Sequence, residues 1–362
     1  MVAPYRIKFR GQTNIDFDLL CDLSFESDHG NTESFLAKES MSSNVYDGSR
    51  RNVHGYRYTD VMNVSFTLIK RDYTDITDRE RRKIIAWLTG SNKVEELTIY
   101  KDDSEVVSYR LLGGFTNIEH YKMANNRDVG VVATFEHIAP YAYSPVKTRT
   151  INVPEDEQQI IIKCRTDVYE KPLYPKIQVT IGDSLYLPIT EDPTVDTYEM
   201  LDNTVYKYNN TYYVKVNGQK QTISGIFATN IENQTADDST DGKYYLCSTD
   251  RCVYKSIIDQ SASYAWEMIA KVGVGFEIKN TYYENGKDIT VKSSVVGCDT
   301  NKVITFDGDN RIISSSDTPM RIFGNSFNWE WIYFGPGENH IESAGDCTVT
   351  FQWVEPIKIG NM

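Results

Sequence analysis

A chain of 362 residues has room for two or three domains, each able to bury its own core, and its hydrophobic share of 40% is ordinary for that purpose. Its formal net charge of −13, from 38 basic and 51 acidic residues, excludes a protein that grips nucleic-acid phosphates by replacing counterions. No run reaches the roughly 18 apolar residues of a membrane span, and six scattered cysteines exclude a disulfide scaffold and point to folding in a reducing compartment.

Met1-Val2-Ala3-Pro4-Tyr5-Arg6 leads into a strand instead of a signal peptide. Tyr5, Ile7 and Phe9 alternate with Arg6, Lys8 and Arg10, as a half-buried strand requires. Between Asp28 and Arg57 the chain is polar, with little periodicity and with Gly30, Gly48 and Gly55, and reads as an arm or long hairpin that cannot form a core alone. Met62, Val64, Phe66 and Leu68 then restore the alternation. Thr77 and Glu80 form a capping-box pattern ahead of Ile84, Ile85, Trp87 and Leu88, with Gly90 as the stop, so a helix covering a sheet is predicted. Leu97 to Tyr100, a turn at Asp102-Asp103 and Val106 to Arg110 read as a hairpin. The strand Val129 to Thr134 runs into Phe135-Glu136-His137-Ile138-Ala139-Pro140-Tyr141-Ala142-Tyr143-Ser144-Pro145, whose two prolines end it and mark a domain boundary.

Residues 1–150 hold 20 of the basic and 21 of the acidic residues, so the acidity lies beyond them. After Pro172-Leu173-Tyr174-Pro175 a new strand starts at Lys176, and from about 185 to 288 tyrosines crowd the chain, with hairpin turns predicted at Asn217-Gly218, Asp241-Gly242 and Asn285-Gly286. Alternating strands return at Ile304 and Phe306, before the turn Asp307-Gly308-Asp309-Asn310, and at Cys347, Val349, Phe351 and Trp353. The chain is therefore expected to be mainly β in three modules: 1–146, then 147–184 with 289–362, and an inserted Tyr-rich module over 185–288.

Chemistry is sparse. No Gly-x-Ser-x-Gly elbow occurs, and the histidines at 29, 54, 120, 137 and 340 form no His-Glu-x-x-His pair. Cys247 and Cys252 make one isolated Cys-x4-Cys, too few ligands for zinc, and Gly273-Val274-Gly275 lacks the third glycine of a dinucleotide fingerprint. Asp307 to Asn310 reads as a β-turn, not a calcium loop, and Glu155-Asp156-Glu157 and Asp237-Asp238 as solvated acids. No catalytic residue, metal or cofactor is assigned, and no enzyme is expected. Flat rings on rigid hairpins do suit the apolar faces of sugars, which makes Tyr212, Tyr213, Tyr244, Tyr245, Tyr264 and Trp266 candidates for binding saccharide or a partner protein. Period-two geometry sends one of each adjacent pair to the core.

Arg51-Asn52-Val53-His54-Gly55, the strand Asn63 to Leu68, Ala86-Trp87-Leu88, the hairpin Leu97 to Tyr109 and the exit Phe135 to Pro145 follow one another in an order that resembles the distal tail protein (Dit) family of long-tailed bacteriophages. So do Ile304-Thr305-Phe306-Asp307-Gly308, Phe334-Gly335-Pro336-Gly337-Glu338-Asn339 and Cys347 to Trp353. The resemblance implies a sandwich-like N-terminal domain that closes a homo-hexameric ring, with the arm reaching a neighbour, and a galectin-like or jelly-roll sandwich behind it. It implies a virion structural protein, made in the host cytoplasm, at the tail tip or baseplate. Its partners would be the tail-tube protein, a tail-associated lysin or hub protein, and a receptor-binding protein or host-wall carbohydrate, with no sequence-specific nucleic acid and no membrane. The 185–288 insert has no counterpart in the family. The alternative is a lectin or a tailspike-like polysaccharide-degrading enzyme.

Overall fold

The computed structural model describes residues 5–25, 38–47, 50–58, 63–100, 105–123, 126–153, 158–169, 172–183, 185–189, 191–195, 198–272 and 274–358. The fold is mainly β, as expected, with one α-helix among the described residues, and it divides into two compact units. Unit 1 comprises Met1–Val146, Thr166–Val168 and Val354–Met362, and unit 2 comprises Lys147–Arg165 and Tyr169–Trp353.

Unit 1 is built on one nine-stranded sheet, whose main path runs Gln12–Thr13, Arg6–Phe9, Glu95–Tyr100, Val107–Lys122, Asp128–His137, Asn63–Lys70 and Leu19–Phe25. Neighbours along it are antiparallel. Alternation decides which side is dry: Val64, Phe66 and Leu68 are fully buried while Ser65 and Thr67 are not. The Tyr5 N–H donates to Cys21 O at 2.8 Å, linking the Arg6 strand to the Leu19 strand and curling the sheet over its interior. There the Phe115 ring meets Phe9, Phe66 and Phe135 edge to face at 5.1, 5.9 and 5.1 Å, contacts that each add about 0.5–1.5 kcal/mol to area burial.

The helix Asp78–Thr89 starts with the predicted capping box: Glu80 N donates to Thr77 Oγ1 at 3.3 Å and Thr77 N to Glu80 Oε2 at 2.8 Å. Its buried face carries Ile84, Trp87 and Leu88. Trp87 Nε1 donates to Phe9 O at 2.8 Å, and its ring stacks on Phe17 at 4.6 Å, which fixes the helix on the sheet. The helix stops at Gly90 as expected, with φ −73° in place of a left-handed cap. Arg10 supplies the cap, donating to the carbonyls of Ala86 and Trp87 at 3.3 Å, and a Cβ at residue 90 would stand 2.5 Å from the backbone oxygen of Ala86. Glycine is needed there for space.

Of the polar arm, residues 28–37, 48 and 49 lie outside the described residues, as does the Asp102-Asp103 turn. The described part forms an antiparallel hairpin, Lys38–Asp47 with Arg50–Tyr58. The Phe135 to Pro145 exit is tied down by His137, which is fully buried. Its Nε2 lies 2.7 Å from Tyr141 O, and Nδ1 lies against the Leu112 peptide, 3.0 Å from N and 2.6 Å from O. Burial pushes the imidazole pKa down, opposed by the two carbonyls. Past Pro140, Ala142–Tyr143 pairs with Pro356–Ile357, Ser144 N donates to Glu355 O at 2.8 Å, and Asp167 N donates to Pro356 O at 3.0 Å. Unit 1 is thus completed by three separate stretches of chain.

Unit 2 is a sandwich carrying a third sheet. One layer orders Lys147–Val153, Cys347–Trp353, Lys176–Ile181, Val303–Asp307 and Ile312–Ser315; the other orders Gln158–Cys164, Gly337–Gly345, Val274–Glu284 and Lys287–Cys298. Phe276, Phe306, Phe327, Phe334 and Phe351 are among the side chains that fill the core. The Phe334 to Asn339 motif has a clear physical role. Asn339, fully buried, accepts from Gly335 N at 2.8 Å and from Asn280 Nδ2 at 3.0 Å, and donates to Gly335 O at 2.9 Å. Gly335 admits the Tyr282 ring, which would be 2.1 Å from a Cβ there.

The third sheet orders Leu187–Pro188, Val205–Tyr208, Thr211–Val216, Gln219–Phe227, Tyr244–Cys247, Cys252–Ile258 and Tyr264–Lys271. The Tyr-rich stretch expected to run to residue 288 therefore divides. Val274–Glu284 and Lys287–Cys298 belong to the sandwich, because Phe276, Ile278, Asn280 and Tyr282 alternate into its core. Turns at Asn217-Gly218 and Asn285-Gly286 join antiparallel strands with positive φ at both residues, as predicted. Asp241-Gly242 makes no hairpin: Tyr244–Cys247 runs parallel to Gln219–Phe227 after a long connection.

Two outcomes are expected. As pH falls through about 6.5, the unfolded chain protonates at position 137 more readily than the folded one, so stability present above that value is lost toward the depressed folded value. A His137→Gln variant should show a flatter melting temperature between about pH 7.5 and 5.5. Asn339→Ala should cost roughly 2–4 kcal/mol in urea unfolding by leaving buried amides unpaired, whereas the exposed Thr150→Ala should be near neutral.

A candidate aromatic surface on the Tyr-rich sheet

Alternation splits the six aromatic candidates between the two faces of the sheet. Tyr212 and Tyr244 pack on one face against the cluster of Val205, Val214, Ile223, Leu246 and Val253. They flank Ile223 across neighbouring strands, Tyr212 meets Tyr186 edge-on at 5.2 Å, and Lys255 Nζ lies 5.5 Å over the Tyr244 ring. Tyr213 points the other way, onto a cluster of Leu187, Tyr198, Met200, Tyr206 and Ala344, where Tyr206 Oη also accepts from Leu201 N at 3.0 Å. These three tyrosines are half-buried packing groups.

The other three gather on the second face. Tyr245 stacks on Phe227 with centroids 4.9 Å apart and planes 4° apart, and Trp266 sets its edge against Phe227 at 5.4 Å and Tyr245 at 5.2 Å. Gly225 makes room, since a Cβ there would lie 3.3 Å from the Tyr245 ring. Tyr264 alternates with Trp266 along the same strand and donates to Asp238 Oδ1 at 3.0 Å, a bond that raises its phenol pKa. Trp266 Nε1 donates to Gln234 O at 3.1 Å. The rings are half-buried, and the polar tips of Tyr264 and Trp266 are held by the 228–243 connection.

Sequence reasoning missed Phe227, because its stack depends on a parallel pairing that local alternation does not reveal. It also missed Tyr254, whose Oη donates to Asp250 Oδ2 at 2.5 Å beside Cys247 and Cys252. Chemically, this face offers ring surface and fixed dipoles. Among the described residues no group of three or more His, Cys, Asp or Glu could hold a metal ion. Asp307 to Asn310 is a turn closed by Asn310 N donating to Asp307 Oδ1 at 3.1 Å, and Glu155 to Glu157 lie outside the described residues. In unit 1, a surface groove of about 550 Å³ is lined by Lys8, Arg10, Glu96, Tyr100 and Arg110 among others, with Glu96 and Arg110 ion-paired across it.

Comparison with solved structures finds similarity to the SPP1 Dit (gp 19.1) protein, described as a paradigm of the hub adsorption apparatus in phages infecting Gram-positive bacteria, at 10% identity and a TM-score of 0.49 over 97% of this chain and 98% of that one. The phage P2 baseplate in its activated conformation with calcium is similar at 10% identity and a TM-score of 0.38, over 99% and 100% of the two chains. No curated protein matches the sequence. Family models do: one described as a phage tail protein N-terminal domain matches residues 5–137, and one described as a phage tail C-terminal domain matches 248–353. With both ends of the sequence matched in order, the chain belongs to this family of phage tail proteins.

Proposed function

We propose that the chain is a distal tail adaptor: six copies close a ring through unit 1 and join the tail tube to the tail-tip or baseplate proteins, among them a tail-associated lysin or hub protein. The observation that carries this reading is the arm hairpin. Among the described residues, Lys38–Asp47 and Arg50–Tyr58 pair only with each other, although they sit inside the stretch matched as a phage tail N-terminal domain. A closed ring supplies such a hairpin with a neighbouring subunit. The nearly balanced charge of residues 1–150 suits a lumen that lets DNA pass without holding it. The role is structural, with no catalytic residue, and the protein resides in the virion tail after synthesis in the host cytoplasm.

The Tyr-rich sheet is the part that contacts host-wall saccharide, a receptor-binding protein or another baseplate protein. Its support is the cluster of Phe227, Tyr245 and Trp266 with Tyr264 beside it, a fixed aromatic surface on which an apolar ligand face can lie.

Mass measurement and negative-stain imaging of the purified chain, alone and with the tail-tube protein, should give six-subunit rings. Removing residues 38–58 should leave smaller species that lose only the β content of that hairpin. A monomer that persists beside the tail-tube protein sinks the ring. For the Tyr-rich sheet, Trp266→Ala should weaken binding to host-wall saccharide or to isolated baseplate proteins roughly 2- to 10-fold, the loss of one aromatic contact, while Tyr212→Phe should not. A folded chain that binds neither ends that part of the proposal.

A further inference from the structure

We propose that Cys247 and Cys252 are a latent redox site, a cross-strand pair that closes to a disulfide when the folded protein meets a low-molecular-weight disulfide. This goes beyond the tail reading and does not depend on it. The two residues are register partners in the antiparallel pair Tyr244–Cys247 and Cys252–Ile258. Directly opposed residues in such a ladder hold their Cα atoms about 4.5–5.5 Å apart, inside the roughly 4.4–6.8 Å that a disulfide spans. Both side chains lie on the same sheet face, in one cluster with Tyr254. Both are free thiols, as are Cys21, Cys164, Cys298 and Cys347, but none of those four faces another cysteine across a ladder. The Cys247 thiol now donates to Thr229 O at 3.2 Å and that of Cys252 to Asp250 O at 3.5 Å, bonds that closure gives up.

Cys252, slightly exposed where Cys247 is not, reacts first. Its thiolate attacks one sulfur of the small disulfide, forming a mixed disulfide and expelling one thiolate. The Cys247 thiolate then attacks Cys252 Sγ and expels the second. The protein loses two protons and two electrons, which the small disulfide takes up to leave as two thiols.

Trypsin supplies the test, because it cuts at Arg251 between the two cysteines. The full-length native protein is equilibrated with oxidised glutathione, its free thiols are alkylated in denaturant, and it is digested without reductant. The expected product joins Tyr244–Arg251 to Cys252–Lys255, and reduction before alkylation abolishes it. Oxidation should also raise the melting temperature of the native chain and leave that of Cys252→Ser and Cys247→Ala unchanged. Recovery of the two peptides separately alkylated, or a linkage through any of the other four cysteines in their place, overturns the proposal.

Discussion

Every buried amide in a chain made mostly of strands must find a partner, and the places where strands end or cross are where ladders fail to provide one. Here a few side chains, all buried except Arg10, meet that demand. Asn14 accepts from Ile7 N at 3.0 Å and donates to Leu19 O at 2.8 Å, bridging the first strand to the third. His137 braces the turn after the long hairpin, Arg10 serves the open end of the helix, and Asn339 with Asn280 holds the turn that closes one layer of the sandwich. Each replaces a missing ladder bond, and an unpaired buried amide would cost about 1–3 kcal/mol. The apolar cores supply most of the driving force, but these polar groups decide where the strands stop.

Much of the architecture was legible because it depends on local periodicity. The alternation at Val64, Phe66 and Leu68, the Thr77–Glu80 cap and the Asn217-Gly218 and Asn285-Gly286 turns each follow from a few adjacent residues, and the structure reproduces them. What could not be read was pairing at a distance. Asp241-Gly242 carries the same turn chemistry, yet its strand pairs in parallel with one that ends at Phe227. Tyr282 and Tyr283 looked like a continuation of the tyrosine-rich stretch, whereas one is buried in the sandwich and the other is exposed on its outside. Composition does not distinguish a tyrosine that fills a core from one that covers a surface.

The same ambiguity runs through the aromatic candidates. Two pack beneath the sheet, one packs onto the sandwich side, and the remaining three assemble only with the help of Phe227 and Gly225. Lys292 Nζ lies 2.7 Å from Glu277 and 5.1 Å over the Tyr198 ring, so the ground between the Tyr-rich sheet and the sandwich is both apolar and ionic. Burial pushes the Glu277 carboxyl upward against the pull of that lysine. The rings gathered on the second face of the sheet were placed by the fold, not by sequence proximity.

The pairing of Ala142–Tyr143 with Pro356–Ile357 has a temporal meaning. On the ribosome the strands between residues 6 and 137 are synthesised first, but the strand that satisfies one edge of their sheet, Pro356–Ile357, arrives only after the sandwich strands. Until then the backbone groups at residues 142–144 face solvent or any other extended segment at hand, the kind of edge that invites mispairing. The brevity of that edge limits the hazard during synthesis. Completion of the first unit thereby reports that translation has passed residue 357, so a prematurely ended chain carries an unfinished sheet.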